Sequence, residues 1–66
     1  MDRLLYQYVL DTTVEQYPGL VQVLGEEEAG YEMAHRLFEE YGQVLYPQEL
    51  YEIGSIAIKA ANDEIT

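Results

Sequence analysis

Proline and glycine divide this sequence into three segments whose apolar residues recur with a helical period. Pro18 disfavours the helical conformation in the residue before it, so the first helix is predicted to run from Arg3 to Gln16. Gly25 and Gly42 bracket a second helix, with Gly42 at the position that follows a helix C-terminus. Pro47 suits the first position of a third helix that continues towards the C-terminus. The pattern therefore predicts an all-α fold.

Two short apolar stretches leave the details of this fold open. LVQVL after Pro18 and QVLY before Pro47 each suit a β-strand as well as another conformation. We predict a short helix for the first and a loop for the second, which gives a small bundle of three main helices plus one short helix. The alternative is an α+β fold in which the two stretches pair as a two-stranded hairpin. In both cases residues 1–66 form a single acidic domain.

The chain is short and has no cysteine to staple it. A domain of 66 residues buries only about 60% of the surface that its unfolded chain exposes, and no disulfide can add stability. The first helix has more apolar side chains than one core-facing side needs, among them Tyr6 and Leu10. Gly54 and its neighbouring alanines let another helix approach the third one closely. We therefore predict a homodimer, or a partner that covers the surplus apolar surface.

The charge balance is strongly acidic. Thirteen Asp and Glu against three Lys and Arg give a formal net charge of -10, which repels phosphate backbones and anionic membranes, so direct nucleic-acid or membrane binding is not expected. At 48% hydrophobic residues the chain is too apolar for a disordered acidic tail. No apolar run approaches the roughly 18 residues of a bilayer span, and the N-terminus does not read as a signal peptide. We predict a soluble, cytoplasmic protein.

The second helical segment, EEEAGYEMAHRLFEEYG, concentrates the acidic residues. At 100° per residue, its predicted buried side is Met33, Ala34, Leu37 and Tyr41. Four polar residues fall on the opposite side, and we call them the acidic stripe: Glu28, Glu32, His35 and Glu39. The geometry predicts that this stripe is exposed.

A metal site is one interpretation of these residues. Glu32 and His35 have the Glu-x-x-His spacing that di-iron helical bundles use, and Glu52 of the third helix is a candidate for a further carboxylate ligand in a helical dimer. Di-iron ligands project inward between helices, whereas Glu32 and His35 are predicted to point away from the apolar side. The carboxylate-His dimer is therefore a minor alternative, and no cofactor is predicted.

The residues for catalysis are sparse. The chain has one His, no Cys and a single serine, Ser55, which lies within the predicted third helix and lacks the strained turn that exposes a nucleophile. There is no glycine-rich phosphate loop, and so small a domain can hardly form a deep cleft. We predict that the protein is not an enzyme.

The leading hypothesis is a nucleic-acid mimic that binds and blocks a basic, nucleic-acid-binding surface of another protein. Carboxylates four residues apart on a helix rise by about 6 Å, close to two steps of a DNA strand at about 3.4 Å each. Tyr31 flanks the stripe, and tyrosine is enriched in protein interfaces. The predicted partner-binding residues are Glu27, Glu28, Tyr31, Glu32, His35, Glu39 and Glu40.

In composition the chain resembles small acidic helical proteins that phages make to block restriction or CRISPR machinery, although no motif is shared. The resemblance implies an inhibitor of the anti-restriction or anti-CRISPR type. The alternative function is a small homo-oligomeric adaptor or regulatory subunit whose contacts are mainly apolar. In that case the acidic stripe serves only solubility.

Overall fold

The computed structural model describes residues 2–65, and the side chains of residues 2–63. It consists of α1 (Arg3–Leu24), α2 (Glu26–Tyr41) and α3 (Pro47–Ile65), which pack on one another in pairs. Residues 2–65 contain no β-strand. The all-α prediction is confirmed, and the α+β alternative with a hairpin is wrong.

The first helix does not end before Pro18, as the sequence predicted. α1 continues through Pro18 and Gly19 to Leu24, so the predicted short helix is the last part of α1. Proline inside a helix costs about 3 kcal/mol, because it removes one hydrogen bond and crowds the preceding turn. Burial of Tyr17, together with the contacts that Leu20 and Val21 make with the core, offsets this cost.

The ends of α1 are held by Asp2 and Gly25. The Asp2 carboxylate accepts hydrogen bonds from the backbone N–H groups of Leu4 and Leu5, both at 3.1 Å, as an N-cap residue does. Gly25 is the single residue between α1 and α2, and its φ of 86° lies in the left-handed region, where a side chain is unfavourable. Its N–H donates to the carbonyl oxygen of Val21, and its own carbonyl oxygen accepts from Ala29. One glycine thus ends one helix and starts the next.

The connection between α2 and α3 is the loop predicted over residues 43–46. Gly42 directly follows α2, as predicted, and its backbone angles are right-handed (φ -62°, ψ -20°), which any residue can adopt. Glycine is still required there, because a Cβ at this position would clash with the carbonyl oxygen of Phe38. The backbone N–H of Leu45 bonds to the carbonyl oxygen of Tyr41 at 2.9 Å, and the side chain of Leu45 is buried. The third helix begins at Pro47 as predicted.

The core lies between the three helices. Its buried residues are Val9, Tyr17, Ala29, Met33, Leu37, Leu45, Leu50, Ile53, Ala57 and Ala61. Tyr6 and Leu10, which the sequence assigned to a surplus apolar side, pack against this core. Gly54 is also used inside the chain, since a Cβ there would lie 3.5 Å from Cε of Met33. The residues that suggested a homodimer thus have partners within one chain.

Candidate protein-interaction surface

α2 carries half of the net charge of this protein. Its sixteen residues include six glutamates and one arginine, which is half of the formal net charge of -10. Three of these glutamates, Glu26, Glu27 and Glu28, occupy its first turn, where no side chain caps the helix. Carboxylates at this end are favoured by the helix dipole, so the acidic start of α2 also stabilises the helix.

The buried side of α2 is a row of three residues, Ala29, Met33 and Leu37, which we call the buried row. Tyr41 is half-buried, but Ala34 is exposed, so the prediction that placed Ala34 in the core is wrong. The core side is thus rotated towards Ala29 relative to the predicted one, and α2 packs against both α1 and α3. As a result, Ala34 borders a groove.

The acidic stripe lies on the outward side of α2. Glu28, His35 and Glu39 are exposed, and Glu32 is half-buried. None of the four belongs to the core, and three are exposed as predicted, whereas Glu32 is less exposed than the helical period predicted. The stripe extends over twelve residues, a rise of about 16 Å along the helix.

Two ion pairs, each between residues four apart, lie within this stripe and beside it. Nε2 of His35 is 2.7 Å from a carboxylate oxygen of Glu39, and Nε of Arg36 is 3.0 Å from Oε1 of Glu32. All four side chains are accessible to water, and that of Glu32 is the least so. Pairs of this kind contribute only about 0.2–0.5 kcal/mol each, so a partner can rearrange them at little cost.

The other three predicted partner-binding residues lie beside the stripe. Tyr31 is 71% exposed. Glu27 lines a cavity of about 300 Å³ that α1, α2 and α3 share, and Glu40 lines a groove between α1 and α2. Glu27 and Glu40 therefore lie on opposite flanks of α2, although the sequence analysis assigned both to one partner-binding set.

The α1–α2 groove is mixed in character, with a volume of about 350 Å³. Thr12, Gln16 and Arg36 line it together with Glu40 and apolar residues of the core. Tyr41 borders it as well, and burial, aided by the nearby Glu40, raises the pKa of its phenol. Burial likewise raises the pKa of Tyr17 on the same side of α1.

The groove between α2 and α3 is different, because no charged residue lines it. We call it the α2–α3 groove. Phe38 and Tyr51 form one part of its wall, with ring centroids 5.5 Å apart and an interplanar angle of 65°. Ala34, Gly54 and Ile58 are also among its lining residues, and its volume is about 150 Å³.

A polar cluster joins α1 to the start of α3. The phenol of Tyr6 donates a 2.5 Å hydrogen bond to Oε1 of Glu52, and this bond, with burial and the charge of Glu52, raises the pKa of Tyr6 to about 12. Glu49 is only 8% exposed, and its Oε1 accepts from the backbone N–H of Tyr46 at 2.8 Å. Its Oε2 accepts no hydrogen bond from any residue of the described chain. This cluster supports the fold at the N-terminus of α3.

The three residues of the metal hypothesis have separate partners. Glu32 bonds to Arg36, His35 to Glu39 and Glu52 to Tyr6. Across the described residues, no group of three His, Cys, Asp or Glu side chains is placed to hold a metal ion. Nor is any helix, over the same residues, both long and apolar enough to cross a membrane.

Sequence reasoning missed the α2–α3 groove and the role of Glu49. The Tyr-Pro-Gln-Glu segment was a usable signal for Glu49, because a glutamate three residues after the N-cap position commonly reaches back to the N-cap N–H. The groove had no such local signal, since Phe38 and Tyr51 meet only after α2 and α3 pack. No protein-family model matches this sequence, and comparisons with curated proteins and with solved structures give no match.

Proposed function

We propose that this protein is a non-enzymatic interaction protein that binds a basic surface of another protein through the acidic stripe of α2. The observation that supports the proposal is the division of α2 into the buried row and an outward side that bears the stripe. The stripe residues contribute nothing to the core, so selection for folding alone does not require four polar groups in line there.

The partner surface proposed here is one that binds nucleic acid. Successive carboxylates along α2 rise by about 6 Å per four residues, near the spacing of alternate phosphates on a DNA strand. A protein that occupies such a surface blocks it, as an inhibitor of the anti-restriction or anti-CRISPR type does. Long-range attraction to a basic surface also speeds association, which suits a competitor of DNA.

The test is capture of proteins from a bacterial lysate on the immobilised protein, followed by elution with double-stranded DNA. We expect the captured proteins to be released by DNA and by salt, and to be captured poorly by the Glu28→Gln/Glu39→Gln variant. The matched control, Asp11→Asn/Glu15→Gln, also removes two charges but from exposed positions on α1, and it should capture as the wild type does. Captured proteins that resist DNA, or that bind both variants equally, would contradict the proposal.

A variant of Tyr31 distinguishes a direct contact with the partner from long-range electrostatic attraction. Its ring is exposed beside the stripe, so Tyr31→Ala should speed dissociation of the captured partner and leave association unchanged. The glutamine variant should instead slow association. Both rates are measurable by surface plasmon resonance once the partner has been identified by capture.

The homo-oligomeric adaptor remains the second candidate, because two exposed apolar residues favour it. Leu4 is 85% exposed and lies on α1 one helical turn from Tyr8, which is 60% exposed. Light scattering at high micromolar concentration tests this candidate. A dimer that persists in the Leu4→Gln variant would show that this site is not the contact, and a monomer would leave only the acidic-stripe proposal.

A further inference from the structure

We propose that the α2–α3 groove binds the apolar side of an amphipathic helix from the partner, whose basic residues then contact the acidic stripe. The inference deepens the proposed function and rests on it, because it specifies the chemistry of the partner. Two properties of the molecule carry it: an uncharged groove of helical dimensions, and a border of unequal charge.

The groove is shaped by small residues between aromatic ones. Gly54, which is buried, has no side chain, and Ala34, which is exposed, has only a methyl group. Neither residue therefore fills the space between α2 and α3. Phe38 and Tyr51 stand edge to face, and Tyr51 is 68% exposed. A volume of about 150 Å³ with an apolar lining is comparable to a protein cavity that accommodates a benzene-sized group. The groove can therefore accept a large apolar side chain.

The length of the groove fits a helix. Its lining on α3 runs from Leu50 to Ile58, which is a rise of about 12 Å along the helix. An amphipathic helix that lies in a groove contacts it with residues i, i+3 or i+4, and i+7, which span about 10 Å. An occupant that presents two turns of apolar side chains thus matches the groove from end to end.

The two borders of the groove differ in charge, and this fixes the orientation of the occupant. On α2, Tyr31 and His35 follow Ala34 and Phe38 around the helix, and the glutamates of the stripe come next. On α3, Lys59 lies one turn beyond Ser55 and Asp63 lies one turn further on the same line, so this border carries one charge of each sign. The acidic border is therefore that of α2. A partner helix should carry its Lys or Arg residues on the side that faces α2.

Charge also argues against a second copy of this chain as the occupant. Each copy has a formal net charge of -10, and the stripe lies beside the groove, so two copies that share this face repel each other. An exposed apolar groove next to a single-sign charged border instead complements a basic amphipathic helix in both properties.

The experiment uses two synthetic peptides of about 18 residues, a length at which helices begin to persist in water. One contains Leu on one side and Lys on the other, and the second keeps every Lys but has Gln in place of Leu. Binding to the full chain is measured by fluorescence anisotropy at low ionic strength, with ¹⁵N-HSQC shifts to locate the contact. We expect the Leu/Lys peptide to bind at least about tenfold more tightly than the Gln/Lys peptide and to shift α2 and α3 resonances.

Two variants of the protein test whether the peptide binds in the α2–α3 groove. Tyr51→Ala should weaken the Leu/Lys peptide about tenfold and leave the Gln/Lys peptide unchanged, since it removes an apolar contact and no charge. Tyr8→Ala is the matched control, because Tyr8 is similarly exposed, at 60%, but lies on α1 and outside this groove. It should leave the affinity for both peptides unchanged.

The outcomes separate this proposal from the function on which it rests. If both peptides bind equally and only Glu28→Gln/Glu39→Gln weakens them, the groove proposal is overturned and the acidic-stripe function stands. If the Leu/Lys peptide binds in the groove but Glu28→Gln/Glu39→Gln does not change its affinity, the stripe does not attract the basic side of the helix. The charge part of this proposal and the proposed function are then both overturned. An equal response to Tyr51→Ala and Tyr8→Ala also overturns the groove proposal.

Discussion

The two sides of α2 are close in sequence and opposite in physical role. The buried row contacts α1 and α3 and lies in the core, whereas the acidic stripe, interleaved with it residue by residue, lies outside the core. One helix thus holds the bundle together with one side and presents the three carboxylates of the stripe on the other. The difference teaches that the charge of the stripe can be changed without removing a contact of the core.

The most severe test concerns the buried row. Leu37→Ala should lower the free energy of unfolding by about 2–5 kcal/mol, because it removes a buried side chain and leaves a cavity. A domain of this size has roughly 3–5 kcal/mol in total, so we expect the cooperative thermal transition followed by circular dichroism to broaden or disappear. Tyr31→Ala on the exposed side of the same helix should shift the free energy by less than about 0.5 kcal/mol. Similar losses in both variants would show that the two sides of α2 are not distinct.

Gly25 determines how α2 is oriented against α1, and therefore which side of α2 faces the core. Gly25→Ala should destabilise the protein by about 1–2 kcal/mol, because its φ of 86° is unfavourable for a residue with a side chain. Gly19→Ala is the matched control. That glycine lies in α1 with open space around its Cβ position, and the alanine should raise stability by about 0.5–1 kcal/mol. Urea unfolding checks the opposite signs, and a neutral Gly25→Ala would mean that the turn has another conformation.

Much of the fold follows from local sequence signals, but two features depend on packing. The start of α3 at Pro47 and the loop before it were predictable from proline and glycine. The continuation of α1 through Pro18 was not, because the local penalty of proline is visible in the sequence and the compensating burial of Tyr17 is not. Similarly, the period placed the stripe on the surface, while the α2–α3 groove arises from the meeting of Phe38 and Tyr51 across two helices.

Glu52 differs from the glutamates of the stripe, because its carboxylate forms a hydrogen bond that links two helices. Tyr6→Phe removes the hydrogen bond to Glu52 and should lower the free energy of unfolding by about 1 kcal/mol at neutral pH. The pKa of Tyr6 is raised to about 12, so the folded state holds the phenol proton more tightly than the unfolded state does. This contribution is present below pH of about 10, the ordinary value for tyrosine, and is lost as the pH rises towards 12.

Urea unfolding at a series of alkaline pH values measures this loss. The wild type should lose stability over the interval between the two pKa values, and Tyr6→Phe should lose less of it. Tyr17 and Tyr41, whose pKa values are also raised, leave a residual dependence of the same sign in the variant. Identical alkaline profiles for the two proteins would show that the Tyr6–Glu52 bond does not form.

The smallest expected effect belongs to the stripe itself. In the free protein, Glu28→Gln/Glu39→Gln loses one carboxylate from the first turn of α2 and the His35–Glu39 pair, and it also lowers the repulsion within a strongly acidic chain. These terms have opposite signs, so the free energy of unfolding in urea should change by less than about 0.5 kcal/mol. Added salt should stabilise the wild type more than this variant, because screening relieves repulsion that the variant has already lost. Asp11→Asn/Glu15→Gln, with the same change in net charge, should respond to salt in the same way. A loss of more than about 2 kcal/mol confined to the α2 variant would mean that the acidic stripe supports the fold, and the separation between the two sides of α2 would fail.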